Sequence, residues 1–258
     1  MDTILFDVKG GVASITLNRP DKLNVFNRAM ALRMQECLDT CAGDKMIRSV
    51  YISGSGKAFC AGQDLSEVCS PEGPGMNRIL SEHYNPIVTK IKWMEKPVVA
   101  AVNGIAAGAG ANIALACDIA VAAESASFIQ AFANIGLIPD SGGTYHLPRL
   151  IGWQKATALM MLGEKVSATD AMKMGMIYKV FADDVFAGEA YALAEKLAEM
   201  PTKAMGFIKL AMRWSSTHTL KEQLENEDKL QQRAASTADF KEGVKAFFEK
   251  RKPDFKGE

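Results

Sequence analysis

Lys96-Pro97-Val98-Val99-Ala100-Ala101-Val102-Asn103-Gly104 is the stretch that decides the fold. Its apolar run starts at a proline and stops at an Asn-Gly turn pair. Such a short, uninterrupted and bounded run predicts a buried strand over 97–102. The Ala- and Gly-rich segment that follows predicts a small-residue helix from about Ala107 to Ala116. Ile119 to Ala122 and Phe128 to Gln130 then predict two further short strands. Strand, helix and strand in alternation are the signature of an α/β core.

The same alternation extends upstream. Thr3 to Val8 and Val12 to Leu17 flank Gly10-Gly11 and predict a β-hairpin. Asn27 caps a helix whose apolar positions are Met30, Met34, Cys37, Leu38 and Cys41. Val50 to Ser53 is a short strand closed by Gly54-Ser55-Gly56. Residues 66–77 are rich in Ser, Pro, Gly and Glu and predict a mobile loop. Leu80, Tyr84, Ile87, Val88 and Ile91 then mark a second amphipathic helix. Downstream of about residue 150 the composition shifts to Met, Ala, Leu, Lys and Glu, which predicts helices alone, broken near Gly163, Gly175 and Pro201. The last helix carries Phe240, Val244, Phe247 and Phe248 on one face, to be buried on its own core or on another subunit. No linker is long enough to separate two independent domains.

Composition excludes several classes of function. The 258 residues are 48% hydrophobic, enough for one sizeable core. Basic and acidic residues number 30 each, and the only basic run is Lys250-Arg251-Lys252, so nucleic acid is not an expected partner. Five cysteines without regular spacing argue against a disulfide framework and for a reducing compartment. No charge-free run reaches the roughly 18 residues of a membrane span, and no leader pattern opens the chain. The expectation is a cytoplasmic protein.

Nucleotide motifs fail on inspection. Gly108-Ala109-Gly110 begins a dinucleotide fingerprint, but Ile113 occupies its third glycine position. Gly54-Ser55-Gly56-Lys57 resembles the end of a phosphate loop, yet Tyr51 and Ala58 stand at the required Gly and Ser/Thr positions. His83, His146 and His218 lack metal spacing and are expected at the surface or in structural hydrogen bonds.

One segment does carry chemistry. In Ile138-Pro139-Asp140-Ser141-Gly142-Gly143-Thr144 a carboxylate sits among apolar and turn residues. Asp140 either caps a turn or is a partly desolvated acid with raised proton affinity, suited to moving a proton at carbon. Two small-residue turns, Cys60-Ala61-Gly62-Gln63-Asp64 and residues 106–111, either pack a helix tightly or present main-chain N–H groups to one oxygen.

Phe59-Cys60-Ala61-Gly62-Gln63-Asp64-Leu65, the 96–104 stretch, Ala116-Cys117-Asp118-Ile119 and Gly142-Gly143-Thr144 together resemble the crotonase superfamily, the enoyl-CoA hydratases and isomerases. Leu17-Asn18-Arg19-Pro20 and Lys250-Arg251-Lys252-Pro253-Asp254-Phe255 fit as well, so the likeness covers nearly the whole chain. The resemblance implies a spiral of ββα turns over residues 1–198 and a helical trimerisation region over 199–258, with trimers often paired into hexamers. It implies an acyl-CoA thioester substrate and no separate cofactor, coenzyme A being part of the substrate.

By motif position the resemblance assigns the Gln63 and Ala109 amides to an enolate-stabilising oxyanion hole. Lys22, Leu23, Ala61, Gln63, Asp64 and Leu65 match the CoA-binding strip, and Gly108, Asn112 and Phe132 flank the acyl site. Hydratases of this superfamily carry two Glu residues, which fall here at Asn112 and Phe132. Without them hydration is disfavoured, because it needs a proton taken from water and one delivered to carbon. A lone acid at 140 suits isomerisation instead. The pattern is similar to the group that converts ring-epoxidised phenylacetyl-CoA to oxepin-CoA in phenylacetate degradation. The alternatives are a Δ3,Δ2-enoyl-CoA isomerase or hydratase of fatty-acid breakdown, and a non-catalytic CoA-ester binder.

Overall fold

The structure is a computed structural model describing residues 2–258. The strands are β1 (Ile4–Lys9), β2 (Val12–Leu17), β3 (Ser49–Gly54), β4 (Ala58–Cys60), β5 (Val98–Val102), β6 (Ile105–Ala107), β7 (Ile119–Ala123), β8 (Ser127–Ile129), β9 (Lys165–Ser167) and β10 (Lys179–Phe181). They form two sheets. The larger has the order β1-β2-β3-β5-β7-β10 and the smaller β4-β6-β8-β9. The hairpin β1–β2 is antiparallel, as is β8–β9; all other pairings are parallel.

Chain order explains the geometry. The chain passes from β3 to β4, from β5 to β6 and from β7 to β8, crossing each time from the large sheet to the small one. After β4 and after β6 helical segments return it to the large sheet, so each of those circuits is one ββα turn of a spiral; after β8 the helices Gly143–Ile151 and Trp153–Leu162 lead to β9 of the small sheet, and Ala168–Lys173 returns the chain to β10. Circuits are stitched at their corners: Asn103 accepts the Gly54 N–H at 2.9 Å and donates to Gly56 O at 3.0 Å. Stacked parallel strands with helices outside bury both strand faces, which is why Val98–Val102 is apolar at every position.

The Asn27-capped helix spans Arg28–Gly43 and buries Met30, Met34, Cys37, Leu38 and Cys41, with the Asn27 side chain accepting from Met30 N at 3.0 Å. The segment Ile79–Trp93 is helical throughout, its first six residues in wider π geometry. Tyr84 meets Phe26 edge to face, ring centroids 5.9 Å apart. Residues 66–77 are not one loop, since Leu65–Val68 and Gly75–Arg78 each form a single helical turn. The small-residue helix spans Ala109–Ala116, because Ile105–Ala107 is drawn into pairing with β4 and β8.

The expectation of helices alone after residue 150 is corrected by β9 and β10. Each has three residues, too few to show a period of two against helical surroundings. Gly163 and Gly175 end helical segments as expected, in left-handed conformation at φ 62° and 84°. Beyond the helix Phe186–Ala198, the helices Thr202–Ser215, Leu220–Ala235 and Ala238–Glu249 complete the chain. Lys209 ties the first of these to the core, 2.7 Å from Asp118 and 2.8 Å from Lys96 O. Phe247 and Phe248 do not pack on this core; they are 79% and 77% exposed. His83 and His146, expected at the surface or in structural bonds, are both buried. Desolvation, with Lys92 and Arg149 nearby, lowers His146 to about 4.

No helix among the described residues is long and apolar enough to cross a membrane.

Candidate active site

Asp140 reaches its position through a loop with little regular structure. One 3-10 turn, Ala133–Ile135, closes at Gly136, and Leu137 to Pro139 lead to the acid without regular structure. Two consecutive left-handed residues follow, Ser141 at φ 51° and Gly142 at φ 77°. They swing the chain into the helix Gly143–Ile151. The loop is pinned from below. Asn112 Nδ2 donates to Asp140 O at 2.8 Å, Gln130 Nε2 donates to Asn112 Oδ1 at 2.8 Å, and Gly143 N donates to Asp140 O at 2.8 Å. The Ser141 hydroxyl donates to Asp140 Oδ1 at 2.8 Å. Burial pushes the Asp140 carboxyl above the usual carboxylate range, and the Ser141 bond offsets only part of that.

Two main-chain N–H groups border the same space. Phe26 pairs with the 62–64 turn through Phe26 N to Gly62 O at 2.7 Å and Asp64 N to Phe26 O at 2.8 Å. In a parallel bridge the residue between those contacts points its own N–H the other way. The Gln63 N–H therefore faces away from Phe26 and has no main-chain acceptor among the described residues. Ala109 opens its helix, so its N–H has no partner within that helix. The two turns touch: a Cβ placed on Gly62 would lie 3.6 Å from Ala109 N and 3.2 Å from Ala107 O. Gly62 itself is at φ 97°, a conformation that favours glycine.

Asp140, Gln63, Gly108, Ala109, Phe132 and Tyr84 line one cavity of about 530 Å³, together with Ala61, Leu65 and other apolar side chains such as Met76, Ile79 and Leu137. That volume suits a small organic group. Asp140 is the one carboxylate among the lining residues. Grooves of about 620 and 650 Å³ along the C-terminal helices are larger, but neither borders the amide pair.

Other residues singled out in the sequence are placed differently. Asn112 is fully buried and does not line the cavity; it works from behind the wall, through Asp140 O. Asp64 is also buried and faces Arg19 at 2.9 Å and Lys22 at 3.7 Å. Burial pushes its carboxyl up, but bonds from Ser66 and Arg19 and the charges of Arg19 and Lys22 hold it below the usual range. Lys22 and Leu23 lie outside the cavity. Leu23 O accepts the Ala61 N–H at 3.0 Å, which sets this strip beside the cavity edge. Ile87 belongs to the core, whereas Tyr84 reaches the cavity and donates to Gln63 Oε1 at 2.8 Å. The other end of the Gln63 side chain donates to Glu67 at 3.0 Å.

Tyr84 and Ile87 were both plausible pocket residues by sequence, with helical spacing that equally suits a core stripe, and only Tyr84 lines the cavity. Ser141 and Glu67 were not legible as site residues, because a contact between segments distant in sequence and an unusual φ leave no local pattern. Among the described residues no three His, Cys, Asp or Glu side chains cluster as a metal would require.

A single acid opposite two unpaired amides, between apolar walls, can take a proton from carbon while the amides hold charge on a carbonyl oxygen. Known proteins are similar to this chain in sequence and fold. The profile of the enoyl-CoA hydratase/isomerase family matches residues 7–258. The Escherichia coli 1,2-epoxyphenylacetyl-CoA isomerase is 45% identical over 100% of this chain and 99% of its own. A Rhodobacter capsulatus protein named "Probable enoyl-CoA hydratase" is 43% identical over 99% and 98%. The crystal structure of an enoyl-CoA hydratase from Bacillus anthracis superposes with a TM-score of 0.95 at 34% identity, covering 99% of this chain and 100% of that one. On sequence and fold together, the chain belongs to the enoyl-CoA hydratase/isomerase family, the crotonase superfamily.

Proposed function

We propose that the protein is an acyl-CoA isomerase that converts 2-(1,2-epoxy-1,2-dihydrophenyl)acetyl-CoA to oxepin-CoA. One observation carries this reading: among the described residues Asp140 is the only carboxylate lining the cavity that the Gln63 and Ala109 amides border. Hydration needs a group to activate water beside a group to protonate carbon, and Phe132 contributes neither to the wall.

The ionised Asp140 carboxylate removes a proton from the carbon between the thioester and the ring. The electron pair of that C–H bond moves into the thioester, and the negative charge on its oxygen is held by the two N–H groups. The ring C–C bond bridged by the epoxide oxygen breaks, which expands the carbocycle to the seven-membered oxygen ring, and the enolate pair forms a C=C between the side-chain carbon and the ring, pushing a ring π pair onto the carbon that is then protonated. Asp140 then delivers the same proton to a ring carbon. Atoms and electrons balance without oxidant, reductant or metal, so coenzyme A enters only as part of the substrate. Phe132 and the aliphatic lining keep water from the enolate. Lys22, Leu23, Ala61 and Leu65 form the strip along which the CoA portion lies. The functional unit is a homotrimer or a pair of trimers, with the exposed face of Ala238–Glu249 as one contact; the support is the 79% and 77% exposure of Phe247 and Phe248.

The test is a substrate panel with purified protein: the epoxide thioester, a 3-enoyl-CoA and crotonyl-CoA. Turnover of the epoxide thioester at the highest kcat/KM is expected. Preferred turnover of the 3-enoyl-CoA would move the assignment to double-bond isomerisation in fatty-acid breakdown, and preferred hydration of crotonyl-CoA would remove the isomerase reading. Binding of all three without turnover would make the protein a CoA-ester binder.

A further inference from the structure

We infer that Ser141 is a positioning residue for the Asp140 carboxylate: its hydroxyl holds Oδ1 and leaves the other oxygen to exchange the proton with substrate. The inference rests on Asp140 as the base and adds the group that sets its direction and its proton affinity.

Ser141 occupies an unusual place. It is one of four non-glycine residues with positive φ among those described, at 51°. A left-handed backbone with a Cβ is disfavoured, and glycine, which occupies the next position, would relieve it. Ser141 is nevertheless 2% exposed, so its hydroxyl is not there for solvent. That hydroxyl spends its proton on Asp140 Oδ1 at 2.8 Å, and no other side chain donates to this carboxyl among the described residues. The bond joins two consecutive residues at the left-handed turn, Ser141 itself being at φ 51°. The main chain of Asp140 is fixed separately, by Asn112 and Gly143. The main-chain oxygen and the carboxyl are thus held by different donors: Asn112 and Gly143 hold the first, while Ser141 is the side-chain donor to the second, beside the residue's own N–H.

Few charged or titratable groups compete for this role. Tyr84 is the titratable side chain that faces Asp140 across the cavity, and its hydroxyl is committed to Gln63. On the helix that follows, His146 lies against Gly142 and is uncharged at neutral pH. Cys69 also lines the cavity, and Cys60 and Glu67 lie close to Tyr84, Glu67 bonded to the Gln63 side chain.

A hydroxyl that donates to the charged form lowers a carboxyl's proton affinity, so its removal must raise it. Ser141→Ala and Ser141→Gly both delete the donor, but they affect the backbone oppositely, because Gly relieves the positive φ and Ala retains it. We therefore compare the pH dependence of kcat/KM for wild type and both variants, and measure the Asp140 carboxyl directly by NMR of isotope-labelled Asp in the free protein, with Asp140→Asn assigning the signal. The expected result is an upward move of the carboxyl titration by roughly one pH unit in both variants. The acid limb of kcat/KM should move with it, kcat at the plateau should fall on the order of tenfold, and KM should change little. A titration and acid limb unchanged in both variants, with activity following thermal stability alone, would overturn the role of Ser141 and leave Asp140 as base untouched. Full activity in Asp140→Asn would instead overturn the base, and with it this inference, whatever the NMR titration shows.

Discussion

The side-chain amide of Asn112 donates to the main-chain oxygen of Asp140 at 2.8 Å, from a helix 28 residues earlier in the chain. Asn112 is fully buried, and its own oxygen is occupied by Gln130. Carboxamides can both donate and accept, so one side chain links the small-residue helix, the segment after β8 and the acid loop. A Glu here would carry no N–H to donate and would set a buried charge against a carbonyl oxygen.

Asn112→Ala should therefore lower stability by about 1–3 kcal/mol, since it strands the Gln130 amide in the interior. It should also lower kcat more than it raises KM, as expected when a base loses its placement. A Cβ on Gly143 would come 2.3 Å from Asn112 Nδ2, so Gly143→Ala should displace the same carboxamide. Because both changes act on one contact, the double variant should lose less than the sum of the singles. Denaturant midpoints and steady-state kinetics on the three variants check this; full additivity would break the proposed link.

Asp140→Asn is expected to abolish isomerisation and raise the melting temperature at neutral pH. Burial raises the carboxyl's proton affinity in the folded protein above its unfolded value. The folded state then binds this proton more tightly than the unfolded state does. The group's favourable contribution is fully present below the ordinary Asp range and is lost as pH rises through the folded value, so at neutral pH its charge is a cost. The Asn side chain carries no such charge, and its advantage over wild type should vanish as pH falls below the ordinary Asp range. Calorimetric scans across pH test the sign; a neutral-pH loss of stability would contradict it.

Gly62→Ala should reduce kcat strongly while the protein still folds. The change forces a side chain into φ 97° and wedges a methyl 3.2 Å from Ala107 O and 3.6 Å from Ala109 N. Left-handed strain alone is worth roughly 1–2 kcal/mol. Separating the two amides weakens their shared hold on one oxygen, and losing one such donor costs roughly 2.7–4 kcal/mol of barrier. Single-turnover kinetics should show the loss in the chemical step; an unchanged rate in a destabilised protein would mean that the amides do not act together.

Phe247→Ser combined with Phe248→Ser should shift sedimentation toward smaller species. Both rings are more than three-quarters exposed on a single chain, at 79% and 77%, and they pack on each other, centroids 5.8 Å apart. If the variant assembles as wild type does, the subunit contact lies elsewhere.

The α/β class, the Asn27-capped helix, the buried strand β5 and the acid at 140 were all legible in the sequence. Each is announced locally, by hydrophobic period, by a capping side chain or by a charge among apolar neighbours, and local signals survive in a linear string. The motif order also carried the family, because motifs spread over the whole chain constrain one another.

Tertiary structure alone decided the rest. Strands β9 and β10 are too short to reveal a period, and they exist because a sheet edge was waiting for them. Asn112 looked like a residue of the site and is instead a buried strut, since only folding brings residue 112 to the carbonyl of residue 140. Ser141 bonds Asp140 at a residue of positive φ, a backbone conformation that no residue type dictates. The Gln63 and Ala109 amides were assigned by motif position, but that they lack main-chain partners is a property of the completed fold, because every residue but proline has an N–H and only folding leaves a particular few unpaired.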